Sequence, residues 1–465
     1  MNALGGAAAP IVVLGAGAVL LLVLDLLWEG AERLLRAAAL ILLALAVVAA
    51  VGVPAAGPAF HGAVQGDVLA RVTALLGIAG AAAAVVLPAP GAWRQRWSAY
   101  LALLLWSAAG MALVGGAGNL IVLFLGVEVL SLGLYALSAF ALEDGRGVEA
   151  GFKYFVLGGL GSGLLLFGAA LCYAASGTLQ FGAGCDYCAT GAPGLPTGLL
   201  HVAGLVLILA GLGFKLALVP FQLWTPDVYE GAPTPVTAFM AVGTKAAAFA
   251  GLARVLTSSF GLGTGWAAAV VVLGVASMFA GYLLALAQPG LKRLLAFSGI
   301  ANAGTLILAL LAPGAWQPVA FVYLAAYAAA TLGAFAVVAA VEAGPGGDRI
   351  AAVQGLGRRH PWLAAAFLIC LLSLASVPPT GGFLGKLLLL QALAHAGYPA
   401  VAVLVVVATV VALYPYLKLA VAVLAPPETG APGAGRLARG PAVVAAVAVV
   451  ATLAIGILPG PLLHG

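Results

Sequence analysis

Apolar runs of about twenty residues, separated by short polar or Gly- and Pro-rich stretches, repeat along almost the whole chain. Crossing the hydrocarbon core of a bilayer takes about twenty helical residues, so each run is read as a span. The runs are 9–28, 35–53, 68–88, 97–115, 119–141, 151–175, 200–222, 234–256, 265–287, 292–312, 317–342, 361–392, 398–424 and 440–460. The pattern predicts an all-α polytopic membrane protein with about 14 transmembrane helices. A barrel would show segments of about ten residues with alternating polarity, and the chain has none. Gly and Ala dominate the runs, which lets helices approach closely where lipid supplies no hydrophobic drive.

Composition agrees. Of 465 residues, 64% are hydrophobic and 7% charged, against roughly 25% charged in a soluble domain. No segment is polar enough for a soluble domain, and the lipid bilayer is the first partner implied. No Lys or Arg precedes the first run, whereas Arg33 and Arg36 follow it, the reverse of a signal peptide. The first run is therefore expected to be a retained span. The net charge of +5 comes largely from loops and implies no nucleic acid.

Those loop charges set the orientation. Twelve of the nineteen basic residues follow odd-numbered spans: Arg33, Arg36, Arg94, Arg96, Arg146, Lys292, Arg293, Arg349, Arg358, Arg359, Arg436 and Arg439. Only Arg71 and Arg254 fall on the other side, both at span ends. The positive-inside rule then puts the twelve in the cytoplasm and both termini outside.

The other five basic residues lie within spans, and all are lysines: Lys153, Lys215, Lys245, Lys386 and Lys418. Glu128 is the one acidic residue well inside a span. A lysine at a helix centre costs roughly 2.5–3.5 kcal/mol on insertion scales, so such residues mark ion or proton paths. The competing readings are a structural ion pair or a snorkelling side chain. These weigh most on Lys153, near the start of its run, and Lys418, near the end of its own. Desolvation favours a neutral amine and a nearby carboxylate favours the ammonium, so moving charge or water can load or unload a buried lysine. Arginine does not release its proton, which is why lysine alone suits a relay.

Backbone signals sit beside these lysines. Pro220 follows Lys215 by five positions and cannot donate to the carbonyl of Leu216, so the helix should break there. In SLASVPPTGGFLGK, Pro378 and Pro379 with Gly381 and Gly382 should open a second helix just ahead of Lys386. Interrupted helices in corresponding places point to inverted repeats. Two inverted five-helix repeats, each with a broken helix, are expected at 97–256 and 257–424. They would be flanked by an N-terminal three-helix segment at 1–96 and a C-terminal helix at 425–465.

Other chemistry is sparse. His61, His201, His360, His395 and His464 fall at span ends or in loops, so no metal site within the membrane is expected. Cys172 and Cys370 lie in spans. Cys185 and Cys188 form one CDYC, which lacks the second pair of a zinc site; a local disulfide or no bond both remain open. No phosphate-cradling or cluster-binding motif occurs, so the chain is expected to bind no cofactor itself.

KLALVPFQLWTPDVYEGAPTPVTAFMAVGTKAAAF (215–249) resembles the signature of the antiporter-like membrane subunits of proton-pumping NADH:quinone oxidoreductase, respiratory complex I. Its wording is closer to the subunit N branch than to the L and M branches or to Mrp-type antiporters. GVEVLSLGLYAL (126–137), EAGFKYFVLGGLGSGLLLFG (149–168), LKRLLAFSGIANAG (291–304) and SVPPTGGFLGK (376–386) match in family order. The resemblance implies proton translocation from cytoplasm to outside in a bacterial cytoplasmic membrane, through Glu128, Lys215, Lys245 and Lys386. Lys215 would pair with Glu128, Lys245 would be the central relay lysine, and Lys386 would lie towards the outlet. Lys153 and Lys418 would be further coupling lysines. Asn302 stands where relatives commonly carry histidine, so position 302 could only orient water. By resemblance the chain carries no redox centre: NADH, FMN, iron–sulfur clusters and quinone would be bound by partner subunits. Its neighbours would be antiporter-like subunit M and the small membrane subunits. The alternatives are an Mrp-type cation/proton antiporter subunit, or a membrane subunit of a related hydrogenase or F420H2 dehydrogenase.

Overall fold

The structure is a computed structural model and describes residues 6–28, 32–52, 56–88, 93, 96–181, 197–258, 265–342, 347–426 and 438–458. Cys185 and Cys188 lie outside the described residues. Helices dominate: α1 Ala9–Leu27, α2 Glu32–Gly52, α3 Val68–Val86, α4 Trp97–Gly115, α5 Leu120–Ser138, α6 Gly145–Ser176 and α7 Thr197–Leu216. They continue with α8 Trp224–Gly231, α9 Thr234–Thr257, α10 Ala267–Leu286, α11 Leu291–Ile307, α12 Trp316–Val341, α13 Pro361–Leu374 and α14 Gly381–His395. The last two are α15 Pro399–Leu424 and α16 Arg439–Ile457.

Among the described residues, thirteen stretches are long and apolar enough to cross a membrane. The fourteenth expected span, 361–392, is divided between α13 and α14. A two-stranded antiparallel hairpin, β1 Ala56–Ala59 and β2 Val64–Gly66, joins α2 to α3. It lies in the Gly- and Pro-rich connection, where no apolar alternation announced it. α6 starts at Gly145, capped by the Asp144 carboxylate accepting from the Arg146 amide, six residues before its apolar run. α5 starts on Asn119, whose side chain accepts from the Val122 amide.

The chain forms two compact units, 1–85 with 90–217 and 243–268, and 86–89 with 218–242 and 269–465. In the first, α4 packs against α1, α2 and α5, and α6 lies between α5 and α7. In the second, α12 is the central helix, packing on α11, α13, α14 and α16.

Two helix breaks share one backbone design. After α7, Ala217 takes a left-handed conformation (φ 65°), and Pro220 follows a cis peptide. After α13, Ser376 is left-handed (φ 59°), and Pro379 follows a cis peptide. The amide of Ala217 reaches the Phe214 carbonyl, and that of Phe221 the Leu218 carbonyl. The amides of Ser376 and Thr380 reach the carbonyls of Ser373 and Val377 in the same way. Every member of one set lies 159 positions from its counterpart. Residue types barely match across the pair, so the likeness resides in the backbone. Pro220, Pro378 and Pro379 remove three amide donors, leaving the carbonyls four residues earlier without helical partners.

A left-handed residue other than Gly costs about 1–3 kcal/mol, and a β-branched one more. Ser376→Val should therefore lower the thermal unfolding midpoint of the purified protein, whereas Ser376→Gly should not. Equal midpoints for the two variants would show that the break does not depend on this conformation.

Candidate functional site

In the first unit the site is built on α5, α6 and α7. Lys215 ends α7, one residue before the helix stops, and is 3% exposed. Its Nζ donates a hydrogen bond of 2.9 Å to the Tyr135 hydroxyl on α5. The ammonium also lies 5.1 Å from the ring centre of Tyr135, 5.6 Å from Tyr154 on α6 and 5.5 Å from Phe214. Aromatic faces carry partial negative charge, so this cage offsets part of the ammonium's lost hydration.

Glu128 lies two helical turns from Tyr135 on the same face of α5. Its carboxylate is within electrostatic reach of both Lys215 and Tyr135. Among the described residues no hydrogen bond joins Glu128 to Lys215, and the buried Oε1 of Glu128 has no hydrogen-bond partner. A tyrosine holds the lysine while the carboxylate acts on it from a distance. One glycine makes this possible. A Cβ at Gly158 on α6 would overlap the Tyr135 hydroxyl.

Lys245 sits at the middle of α9, a helix whose span is wholly buried, and is itself 2% exposed. Among the described residues it makes no hydrogen bond or ion pair. Lys153 differs: it pairs with Glu149 one turn earlier at 2.7 Å, and its side chain is 41% exposed.

In the second unit Lys386 lies four residues beyond Gly382 on α14 and is buried. Its Nζ stands 6.0 Å from the ring centre of Tyr282. Asn302 on α11 donates to the Ser298 carbonyl (2.9 Å) and accepts from the Tyr323 hydroxyl (2.8 Å). Ser298 in turn shares a 2.6 Å hydrogen bond with Tyr416 on α15. Lys418 instead points Nζ towards the carbonyls of Leu286 and Gln288 (3.5 and 3.4 Å). Those groups end α10, where a cation is favoured by the helix dipole.

A charged cluster at one end of the second unit was missed in the sequence. Lys292, counted there as a loop charge, is the second residue of α11 and 4% exposed. It bonds Glu342 at 3.0 Å and the Ala232 carbonyl at 3.1 Å, and Thr234 also bonds Glu342. Arg293 joins Asp227 (2.7 Å) and Glu230 (2.9 Å) on α8. Burial pushes the nearby Asp348 carboxyl above its usual range, with Lys292 opposing the shift. The cluster anchors α8, the half-helix after the first break, to the start of α11. Tyr135, Tyr154 and Gly158 were also missed. The spacing of Glu128 and Tyr135 in GVEVLSLGLYAL was the available signal, since seven residues return to one helix face.

Comparison with known proteins gives the context of this geometry. The family model described as NADH:quinone oxidoreductase/Mrp antiporter, transmembrane, matches residues 117–412. NADH-quinone oxidoreductase subunit N 1 of Symbiobacterium thermophilum is 44% identical, covering 98% of this chain and 96% of that protein. A chain in respiratory complex I from Thermus thermophilus with bound aureothin is 39% identical. It superposes with a TM-score of 0.84, covering 98% of both chains. A chain of the Mrp complex from Dietzia sp. superposes with a TM-score of 0.82 over 98% of this chain and 95% of that one. At 22% identity it shares the fold alone.

The Lys215 cage makes a double-mutant prediction. Tyr135→Phe removes a buried hydrogen bond to a charge, and Gly158→Ala pushes the same hydroxyl aside; each should cost about 1.5–3 kcal/mol. Because both act on one bond, the double variant should cost less than the two added together. Additive losses in thermal unfolding midpoints would place the two residues in separate interactions.

Proposed function

The chain belongs to the NADH:quinone oxidoreductase/Mrp antiporter family, and we propose that it is subunit N of a proton-pumping NADH:quinone oxidoreductase. It moves protons from the cytoplasm to the outside of a bacterial cytoplasmic membrane. Electron transfer from NADH to quinone occurs in partner subunits, which hold FMN, the iron–sulfur clusters and quinone. Subunit M and the small membrane subunits are its neighbours in the membrane arm. The two repeats occupy 97–256 and 257–424.

The observation that carries this reading is the Lys215 site. An ammonium with one hydroxyl acceptor and an aromatic cage is held without a carboxylate in contact. A direct buried ion pair would fix the proton; this arrangement leaves it responsive to the charge at Glu128. Lys245, buried with no hydrogen bond, suits the central relay position for the same reason. Lys386, beside the second break, takes the outlet. Lys153 and Lys418 are left to coupling at the edges of their helices, one in an exposed ion pair and one at a helix end. Positive-inside counting puts the Lys292–Arg293 end of the second unit, with Asp348 and Glu342, on the cytoplasmic side.

An Mrp-type antiporter is less well supported. Sodium coordination calls for carboxylate and hydroxyl oxygens gathered at membrane depth, and Glu128 is the one acidic residue well inside a span.

In vesicles containing the assembled complex, Lys215→Ala and Glu128→Ala should each cut NADH-driven proton pumping several-fold while assembly persists. Lys245→Arg should also pump poorly, since guanidinium keeps the charge but not the exchangeable proton. Wild-type pumping in all three would sink the relay.

Orientation has its own test. After mild reduction, an impermeant thiol reagent added outside intact cells should label Cys185, and labelling restricted to inverted vesicles would reverse the topology.

A further inference from the structure

At one end of the first unit hydrogen-bond donors outnumber acceptors. α1 ends there, α2 and α4 begin there, and Phe140 follows the end of α5. The Arg36 guanidinium carbon stands 4.3 Å over the ring of Trp97, and that of Arg96 stands 5.7 Å over Phe140. Tyr100 joins the two rings, their centres lying 5.1 and 5.8 Å from its own. Stacking uses the face of a guanidinium and leaves its in-plane N–H groups for oxygen acceptors.

Few acceptors are at hand. One terminal nitrogen of Arg36 reaches Glu32 at 3.2 Å. Its Nε is buried with no partner among the described residues, as are the indole nitrogens of Trp93 and Trp97. Arg33 and Arg96 make no hydrogen bond or ion pair among the described residues. Asp25 is already held by the Ser98 hydroxyl at 2.5 Å, and the Tyr100 hydroxyl donates to the Ala84 carbonyl. Three arginines thus face two carboxylates, Asp25 and Glu32. The helix dipoles of α2 and α4 add to the positive end, and Arg96, the N-cap of α4, supplies no side-chain cap.

The flanks of this end are apolar. Leu26, Leu27 and Trp28 at the end of α1, and Leu34 at the start of α2, are exposed. The spans of α1 and α2 are each 28% buried, the lowest share among the thirteen. A cationic end beside two bare apolar helices fits an amphiphile, with an oxyanion for the arginines and chains for the helices. A free phosphate would use only the arginines.

We propose that an anionic phospholipid binds at this end. Its phosphate takes the free in-plane donors of Arg36, Arg33 and Arg96 add charge, and its acyl chains lie along the exposed faces of α1 and α2. Trp97 and Phe140 are positioning residues, since a ring face holds a guanidinium without consuming its donors. Such binding needs only that α1 and α2 lie in a bilayer and is indifferent to what the subunit pumps.

The test places the assembled complex in phosphatidylcholine vesicles with a minor fraction of photoreactive phosphatidylglycerol or, separately, of photoreactive phosphatidylcholine. Crosslinked peptides are then mapped. The end of α1 and the starts of α2 and α4 should be labelled more strongly by phosphatidylglycerol than by phosphatidylcholine. Arg36→Ala should lower that labelling about five-fold, the equivalent of about 1 kcal/mol for one basic residue at a membrane surface, while labelling of α16 is unchanged. Trp97→Leu should lower it too, and Trp97→Tyr, which keeps a ring face, should restore it. A purely structural role for these residues would not alter the preference between the two lipids. Should Arg36→Ala fail to assemble, the ratio of labelling by the two lipids in the wild-type complex decides. Equal labelling by both lipids, unchanged labelling in Arg36→Ala, or no labelling because a neighbouring subunit covers this end overturns the proposal. Labelling abolished by sodium phosphate but not by sodium chloride of equal ionic strength would overturn it in favour of a site for free phosphate.

Discussion

An ammonium group held at membrane depth is the constraint on which this structure turns. Placing it there costs roughly 2.5–3.5 kcal/mol, and the protein recovers that amount without a contact ion pair. A hydrogen bond to a charged group contributes about 1.5–3 kcal/mol, and a desolvated cation–π contact about 2 kcal/mol. The bond from Lys215 to Tyr135 and the rings of Tyr135, Tyr154 and Phe214 are therefore sufficient in magnitude. Had Glu128 supplied the compensation at contact distance, the pair would lock the proton in place, and separating it would cost several kcal/mol. Tyrosine solves the solvation problem and leaves the charge state adjustable. Much of the local packing follows from it. Gly158 is glycine so that the tyrosine hydroxyl fits, and α6 approaches α5 at that point.

The breaks answer a second demand of the same environment. A continuous helix hides all its backbone polar groups and so offers a proton nothing to approach. Proline removes a donor, and the carbonyl one turn back becomes available to water or a side chain. The protein uses this device twice with the same left-handed residue, the same cis-proline position and the same turn bonds, 159 residues apart. The lysines are not placed at matching positions. Lys215 precedes its break, whereas Lys386 follows its own. One backbone solution therefore presents a lysine from opposite sides of the gap.

How much of this was legible in the sequence depended on the range of the interaction. Span positions, the lysine preference and both breaks rest on local composition and on what proline cannot do, so they were visible. The subdivision of 361–392 into α13 and α14 followed from the same logic. The loop charge at Lys292 was misplaced because span ends are set by capping and tertiary contacts. Its burial depends on Glu342 and Ala232, fifty and sixty residues away. Tyr135 and Gly158 were invisible for a related reason. An aromatic residue and a glycine in an apolar run look like packing until a third helix brings a lysine to them. The hairpin of β1 and β2 had no hydrophobic alternation to betray it.

Asn302 shows what such limits hide. Taken singly, an amide within a run of small and apolar residues says nothing of its partners. In the structure it is the middle of a hydrogen-bonded series from Tyr323 through Ser298 to Tyr416. A neutral amide satisfied from both sides adds no charge to the buried interior, where a further ionised group would have to be desolvated.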